Sequence, residues 1–255
     1  MVQAMARNVA EATNATERDL RVDLAAAFRM TVELDWHEGV SNHFSVATSD
    51  DGKKFLMNPK WRHFATIKAS DLVEYDSSDK TTLNRADAPD PTAWCIHGAI
   101  HANVPHARCI LHLHTPYATA LASLAKPEIL PIDQNTARFY KRTAIDLNFQ
   151  GIADDWAEGR RLAAALGAYK SLIMGNHGIL VVGPTVAEAF DEIYYLERAC
   201  RTMMLAYSSN QPLNIMGDNL AERTAAGWDA YREMSHAHFS EMKHLLDGKK
   251  STYAS

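Results

Sequence analysis

The chain has 255 residues, 47% of them hydrophobic, and a formal net charge of -5, enough apolar material for one substantial core and a single main domain. Its basic residues are scattered rather than striped, which argues against nucleic acid or an anionic membrane as partner, and no run approaches the roughly 20 apolar residues of a spanning helix. Three cysteines, Cys95, Cys109 and Cys200, are an odd number without a CxxC pair, so a reducing, cytoplasmic setting is expected.

Residues 1–15 carry no periodicity and are expected to be a flexible N-terminus. Thr16-Glu-Arg-Asp19 then has the form of a helix cap, followed by Leu20, Leu24, Phe28 and Thr31 at helical spacing to about Trp36. Residues 38–47 read as a turn into a strand, with residues 54–58 as its hairpin partner across the Ser49-Asp-Asp-Gly52 turn, and residues 71–75 as a further short strand. Asp90-Pro91 starts a helix that should run to about Asn103, since Asp can cap and Pro suits the first helical position. After an apolar strand over residues 109–114, residues 124–155 show no clear period, and long loops of this kind are disproportionately functional. Residues 156–166 form a helix closed by Gly167, and residues 170–183 two apolar strands around a Gly-Asn-His-Gly turn. Thr185-Val-Ala-Glu188 opens a long helix whose stripe of Val186, Phe190, Ile193, Cys200, Met203 and Tyr207 is core rather than a cofactor box. Residues 16–210 make up the expected domain. Residues 211–255 follow as a helical extension packed on it or on a neighbour, with one helix over 220–246 and His236 and His238 at the surface.

Chemistry concentrates in the run Cys109-Ile-Leu-His-Leu-His-Thr-Pro116. Side chains two apart on a strand share a face, so His112 and His114 converge, either as a metal-binding pair or as satisfied core histidines. A catalytic metal site needs a third protein ligand, and His177 is the remote candidate, because its Gly/Asn turn can lift it out at the strand end. Imidazole ligands suit zinc, copper, iron and nickel.

The order and spacing of the His-Leu-His strand and the Asn176-His-Gly turn resemble the class II aldolase/adducin family over most of the chain. Ser41-Asn-His-Phe-Ser45 and Trp94-Cys-Ile-His-Gly-Ala-Ile-His101 are similar to its adducin-like branch. The resemblance implies a three-layer α/β/α fold around a mostly antiparallel sheet, a divalent metal on His112, His114 and His177 (Zn²⁺, with Mn²⁺ or Fe²⁺ as alternatives), and a homotetramer with active sites near subunit interfaces. It also places Asn42 and His43 at the substrate.

Departures from the sugar-phosphate aldolases of that family point away from phosphosugars. Their acidic acid/base residue is replaced by Ala93. His97 lies one helical turn on and shares that face with His101, so His97 is the candidate acid/base or fourth ligand. Asp90 is a second candidate, with helix capping as its other reading. Where the aldolases have a small phosphate-binding turn, this chain has Asn58-Pro-Lys-Trp-Arg-His63. Trp61 would obstruct phosphate, while Lys60 and Arg62 could pair with a carboxylate. Phe149 stands where a catalytic tyrosine is often found, which leaves Tyr140 as the substitute. The expected function is a metal-dependent lyase, working by retro-aldol cleavage or decarboxylation through a stabilised enolate on a small hydroxy/keto carboxylate or sugar-derived substrate. The alternative is a non-catalytic adducin-like binding module.

Overall fold

The computed structural model describes residues 15–231 and 233–255; all but the last residue of the expected loose segment over residues 1–15 lie outside them. Helix α1 (Glu17–Glu33) starts where the cap was expected: Thr16 and Asp19 form a reciprocal capping box. Strands β1 (His43–Ala47), β2 (Lys54–Met57) and β3 (Val73–Asp76) form an antiparallel meander. Helix α2 (Pro91–Asn103) precedes β4 (Cys109–Leu113), and the short helices α3 (Pro116–Ala122) and α4 (Gln134–Ala137) lead to β5 (Thr143–Asp146). Helix α5 (Trp156–Leu166), the hairpin β6 (Ser171–Met174) and β7 (Gly178–Gly183), and helices α6 (Val186–Ser208), α7 (Asp218–Ala230) and α8 (Glu233–Gly248) complete the order. The single C-terminal helix expected over 220–246 is thus two helices, parted after Ala230.

The seven strands run β3-β2-β1-β4-β7-β6-β5, antiparallel except for the parallel β5–β6 pair. Alternation sorts the strand residues onto two faces. Phe44, Val46, Cys109, Leu111, Leu113, Ile179 and Val181 pack with α1, α3, α6 and α8. Ile110, Leu180, Val182 and Leu172 pack with α2 and α5. This is the expected three-layer α/β/α arrangement. Because β4 and β7 are buried on both faces, they read as continuous apolar runs, and a histidine on them can only be tolerated if it is partnered.

Helix α2 is buried from Ala93 to His101, pinched between the sheet and α5. A Cβ on Gly159 would lie 2.0 Å from the Cys95 carbonyl oxygen, so only glycine permits this approach of the two helices. The pinch presses the His97 and His101 face of α2 onto β1.

Candidate metal centre

His112 sits on β4 and His114 immediately after it. The β4–β7 register pairs Leu113 with Ile179, which brings the β6–β7 turn beside His114. In that turn Asn176 takes a left-handed φ of 55° and directs His177 toward the other two imidazoles. Their ligand atoms all lie within 4.8 Å of one another. Next to His114, Thr115 is anchored by the buried Glu197 of α6, which accepts from the Thr115 hydroxyl at 2.6 Å and from the Tyr117 and Ala118 amides.

The partners of the other ring nitrogens decide what the triad can hold. His112 Nδ1 is 2.9 Å from the Ile179 carbonyl, which only accepts, so Nδ1 carries the proton and Nε2 offers a lone pair. His114 Nδ1 is likewise a donor, 2.6 Å from the Glu38 carboxylate. The two Nε2 atoms then face each other at 3.1 Å. Two nitrogens at that distance need a proton or a metal ion between them, and tetrahedral zinc with arms of about 2.0–2.1 Å separates its nitrogens by roughly 3.3 Å. Burial pushes His112 well below the usual histidine range and His177 down to about 4, keeping both neutral and able to ligate. The donors therefore fit a divalent ion with three protein ligands and one open position.

Glu38, 76 residues away in sequence, has no local signal that would have revealed it. A carboxylate on the far nitrogen of a ligating histidine fixes its tautomer and raises its basicity. Glu38→Ala is expected to weaken Zn²⁺ affinity roughly 10–100-fold in competition with a chromophoric chelator; an unchanged affinity would show that His114 is oriented without it.

Beside the triad, His43 lies directly opposite His112 across β1 and β4, with ring centres 5.0 Å apart. Behind it runs a buried chain: His43 Nδ1 is 2.8 Å from His97 Nε2, His97 Nδ1 is 2.6 Å from Ser45 Oγ, and Ser45 Oγ is 2.8 Å from His101 Nε2. Each link can be satisfied in two directions. With protons on His43 Nδ1 and His97 Nδ1 and the serine donating to His101, His43 Nε2 is an acceptor. With every proton shifted along, it is a donor. Burial drives His43 and His97 well below the ordinary range and His101 down to about 3, so the chain is uncharged at neutral pH.

The triad and His43 line a cavity of about 520 Å³ together with Asn42, Lys60, Trp61, Asp90 and Phe149. Asn42 has a φ of 72°, is only 6% exposed, and neither of its amide atoms has a partner among the described residues. Lys60 lines the cavity, whereas Arg62 turns to Asp71 at 3.7 Å and does not. His97 stays behind His43, out of the cavity. Tyr140, under the Lys141 ammonium, is not brought to this chain's own cavity. Asp90 accepts from the Thr92 amide and hydroxyl, as a helix cap does, while also facing the cavity. His238, expected at the surface, is partly buried with Nδ1 2.9 Å from Asp191, because α8 packs against α6.

Residues 22–204 match the sequence profile of the Class II Aldolase and Adducin N-terminal domain. The chain belongs to this family. A Pseudomonas aeruginosa protein whose name places it in aldolase class 2, without a substrate, is 34% identical over 86% of this chain and 84% of its own. The Streptomyces niveus protein named Decarboxylase NovR is 27% identical over 84% of this chain and 81% of its own. Among solved structures, an aldolase II superfamily protein from Pseudomonas syringae superposes with a TM-score of 0.84 at 28% identity, over 95% of this chain and 98% of its own. Such a triad is typical of class II aldolases. No helix among the described residues is long and apolar enough to cross a membrane.

Proposed function

We propose that this class II aldolase family protein is a divalent-metal-dependent lyase that cleaves a hydroxy- or keto-carboxylate by retro-aldol cleavage or decarboxylation. The observation carrying this reading is the convergence of the His112, His114 and His177 imidazoles, the first two oriented through Nδ1 by Ile179 and Glu38, with His43 in the same cavity. When bound, a Zn²⁺-type ion would supply Lewis acidity, worth several kcal/mol toward charge developing on a substrate oxygen.

The remaining roles fall to the chain's own side chains. The Asn42 amide donates to a substrate oxygen and thereby gains the partner it otherwise lacks. The Lys60 ammonium attracts the carboxylate. His43 Nε2 takes or gives the proton at the reacting carbon or oxygen, and His97, Ser45 and His101 hold its tautomer and can reverse it. His97 thus acts through His43 rather than on substrate. In a homotetramer, Tyr140 would serve a neighbour's cavity, and light scattering on purified protein tests that assembly.

The functional test is a screen of hydroxy and keto acids with zinc-loaded protein, following carbonyl or CO₂ release. His43→Gln is expected to lower kcat roughly 10²–10⁴-fold, and loss of the triad to abolish turnover. A screen in which no acid is turned over, or in which His43→Gln turns over normally, would sink the reading.

A further inference from the structure

The cavity has two unlike ends. One is the polar floor of His43, Asn42 and the histidine triad. The other is an apolar wall, since Trp61, Phe149 and Ile152 line the same cavity while remaining 73%, 48% and 78% exposed. Single exposed apolar side chains are ordinary on a protein surface, but three on the wall of one polar site are not explained by core packing.

Backbone conformation sharpens the point. Trp61 is held at a φ of 61°, a left-handed conformation that is a genuine outlier for a bulky aromatic, and Gly151, between Phe149 and Ile152, takes a φ of 92°. Glycine adopts such a φ freely, but at Trp61 it is strain, which persists where the surroundings enforce it and clusters at binding sites. Here the strained turn sets the indole against the cavity instead of sinking it into the core. The wall is continuous with the floor, because the Phe149 ring centre lies 6.1 Å from that of His177. It also carries a charge in register with an acid, since the Lys60 ammonium stands 5.0 Å from the Trp61 ring. A three-carbon acid would leave most of the 520 Å³ unfilled.

Resting on the hydroxy/keto-acid reading, we propose that the substrate is an aryl-substituted acid, its acid end at the histidines and Lys60 and its ring against Trp61, Phe149 and Ile152. Those three side chains are then the specificity determinants. The Trp61, Phe149 and Ile152 side chains offer no acceptor and only one donor, the indole N–H, so hydroxyls of a polyol laid against them would gain little from the protein, whereas a phenyl ring gains apolar contact.

Isothermal titration of zinc-loaded protein with phenyllactate, lactate and gluconate tests this without requiring turnover. Phenyllactate is expected to bind roughly tenfold or more tighter than either other acid. In Trp61→Ala and in Phe149→Ser that preference should collapse toward one, and Trp61→Phe should restore much of it. Equal affinities, tighter binding of gluconate, or a preference that survives both variants would overturn the aryl site and leave the hydroxy-acid reading standing. Binding of none of the three would remove both. A Trp61→Ala variant with a lower solution mass by light scattering and an unchanged preference would assign the wall to a second copy of the chain and overturn the proposal.

Discussion

Replacing His112 and His114 together by alanine is expected to reduce bound metal from about one ion per chain to background, measured by inductively coupled plasma mass spectrometry on untagged protein. The size of the effect follows from geometry. The Ile179 carbonyl and the Glu38 carboxylate fix both Nδ1 atoms as donors, so the facing Nε2 atoms at 3.1 Å are held together by a shared proton or by a metal ion, and a divalent ion displaces that proton. Removing two of three such ligands leaves His177 with no convergent imidazole partner. The same linkage should appear in stability. Zinc at about 1,000 times its Kd adds roughly 4 kcal/mol to the native state, which for a domain of this size raises Tm by roughly 10 °C. The double variant should show no such rise, and a chelator should erase it from the wild type. A zinc-dependent Tm that survives in the double variant would place the ion elsewhere.

Helix starts and the His112/His114 pair were legible because each rests on local chemistry, whereas His177, remote in sequence, was legible through its turn and the family resemblance. Thr16 with Asp19, Asp90 with Pro91, and Thr185 ahead of Glu188 are caps written into neighbouring residues, and the structure uses each one. The two-residue spacing of His112 and His114 fixes their shared face in any strand. Other features depend on contacts distant in sequence. Strand β5 has only four residues and sits at the sheet edge with one buried position, so no alternation marks it. Glu38 reaches His114 only because the turn before β1 lies over the end of β4. The chain from His43 to His101 requires both the β1–β4 register and the close packing of α2, neither of which leaves a trace in spacing. Lys60 and Arg62 look equivalent in sequence, yet the left-handed turn at Trp61 sends one to the cavity and the other to Asp71.

Metal-free protein is expected to lose stability steeply as pH falls below about 6.5 toward 4. In the native state His43, His97 and His112 are held well below 6.5, His177 to about 4 and His101 to about 3, in each case mainly by burial. Once unfolded, each returns to a pKa near 6.5. Across this window the unfolded chain therefore binds protons that the native chain refuses, and stability must fall as pH falls. Each such histidine contributes up to about 1.4 kcal/mol per pH unit, so a few acting together rival a typical total stability of about 5–15 kcal/mol. Glu197 works in the opposite sense, since burial raises its pKa, but it is one group against five. Urea melts from pH 8 to 4.5 measure the slope directly. Because His97 and His101 do not touch the triad, their share should persist when zinc is bound, and His101→Gln should lower the slope by about one proton per molecule in both forms. Stability that stays flat between pH 7 and 5 would mean that the imidazoles accept protons within the fold, and the uncharged relay behind His43 would have to be abandoned.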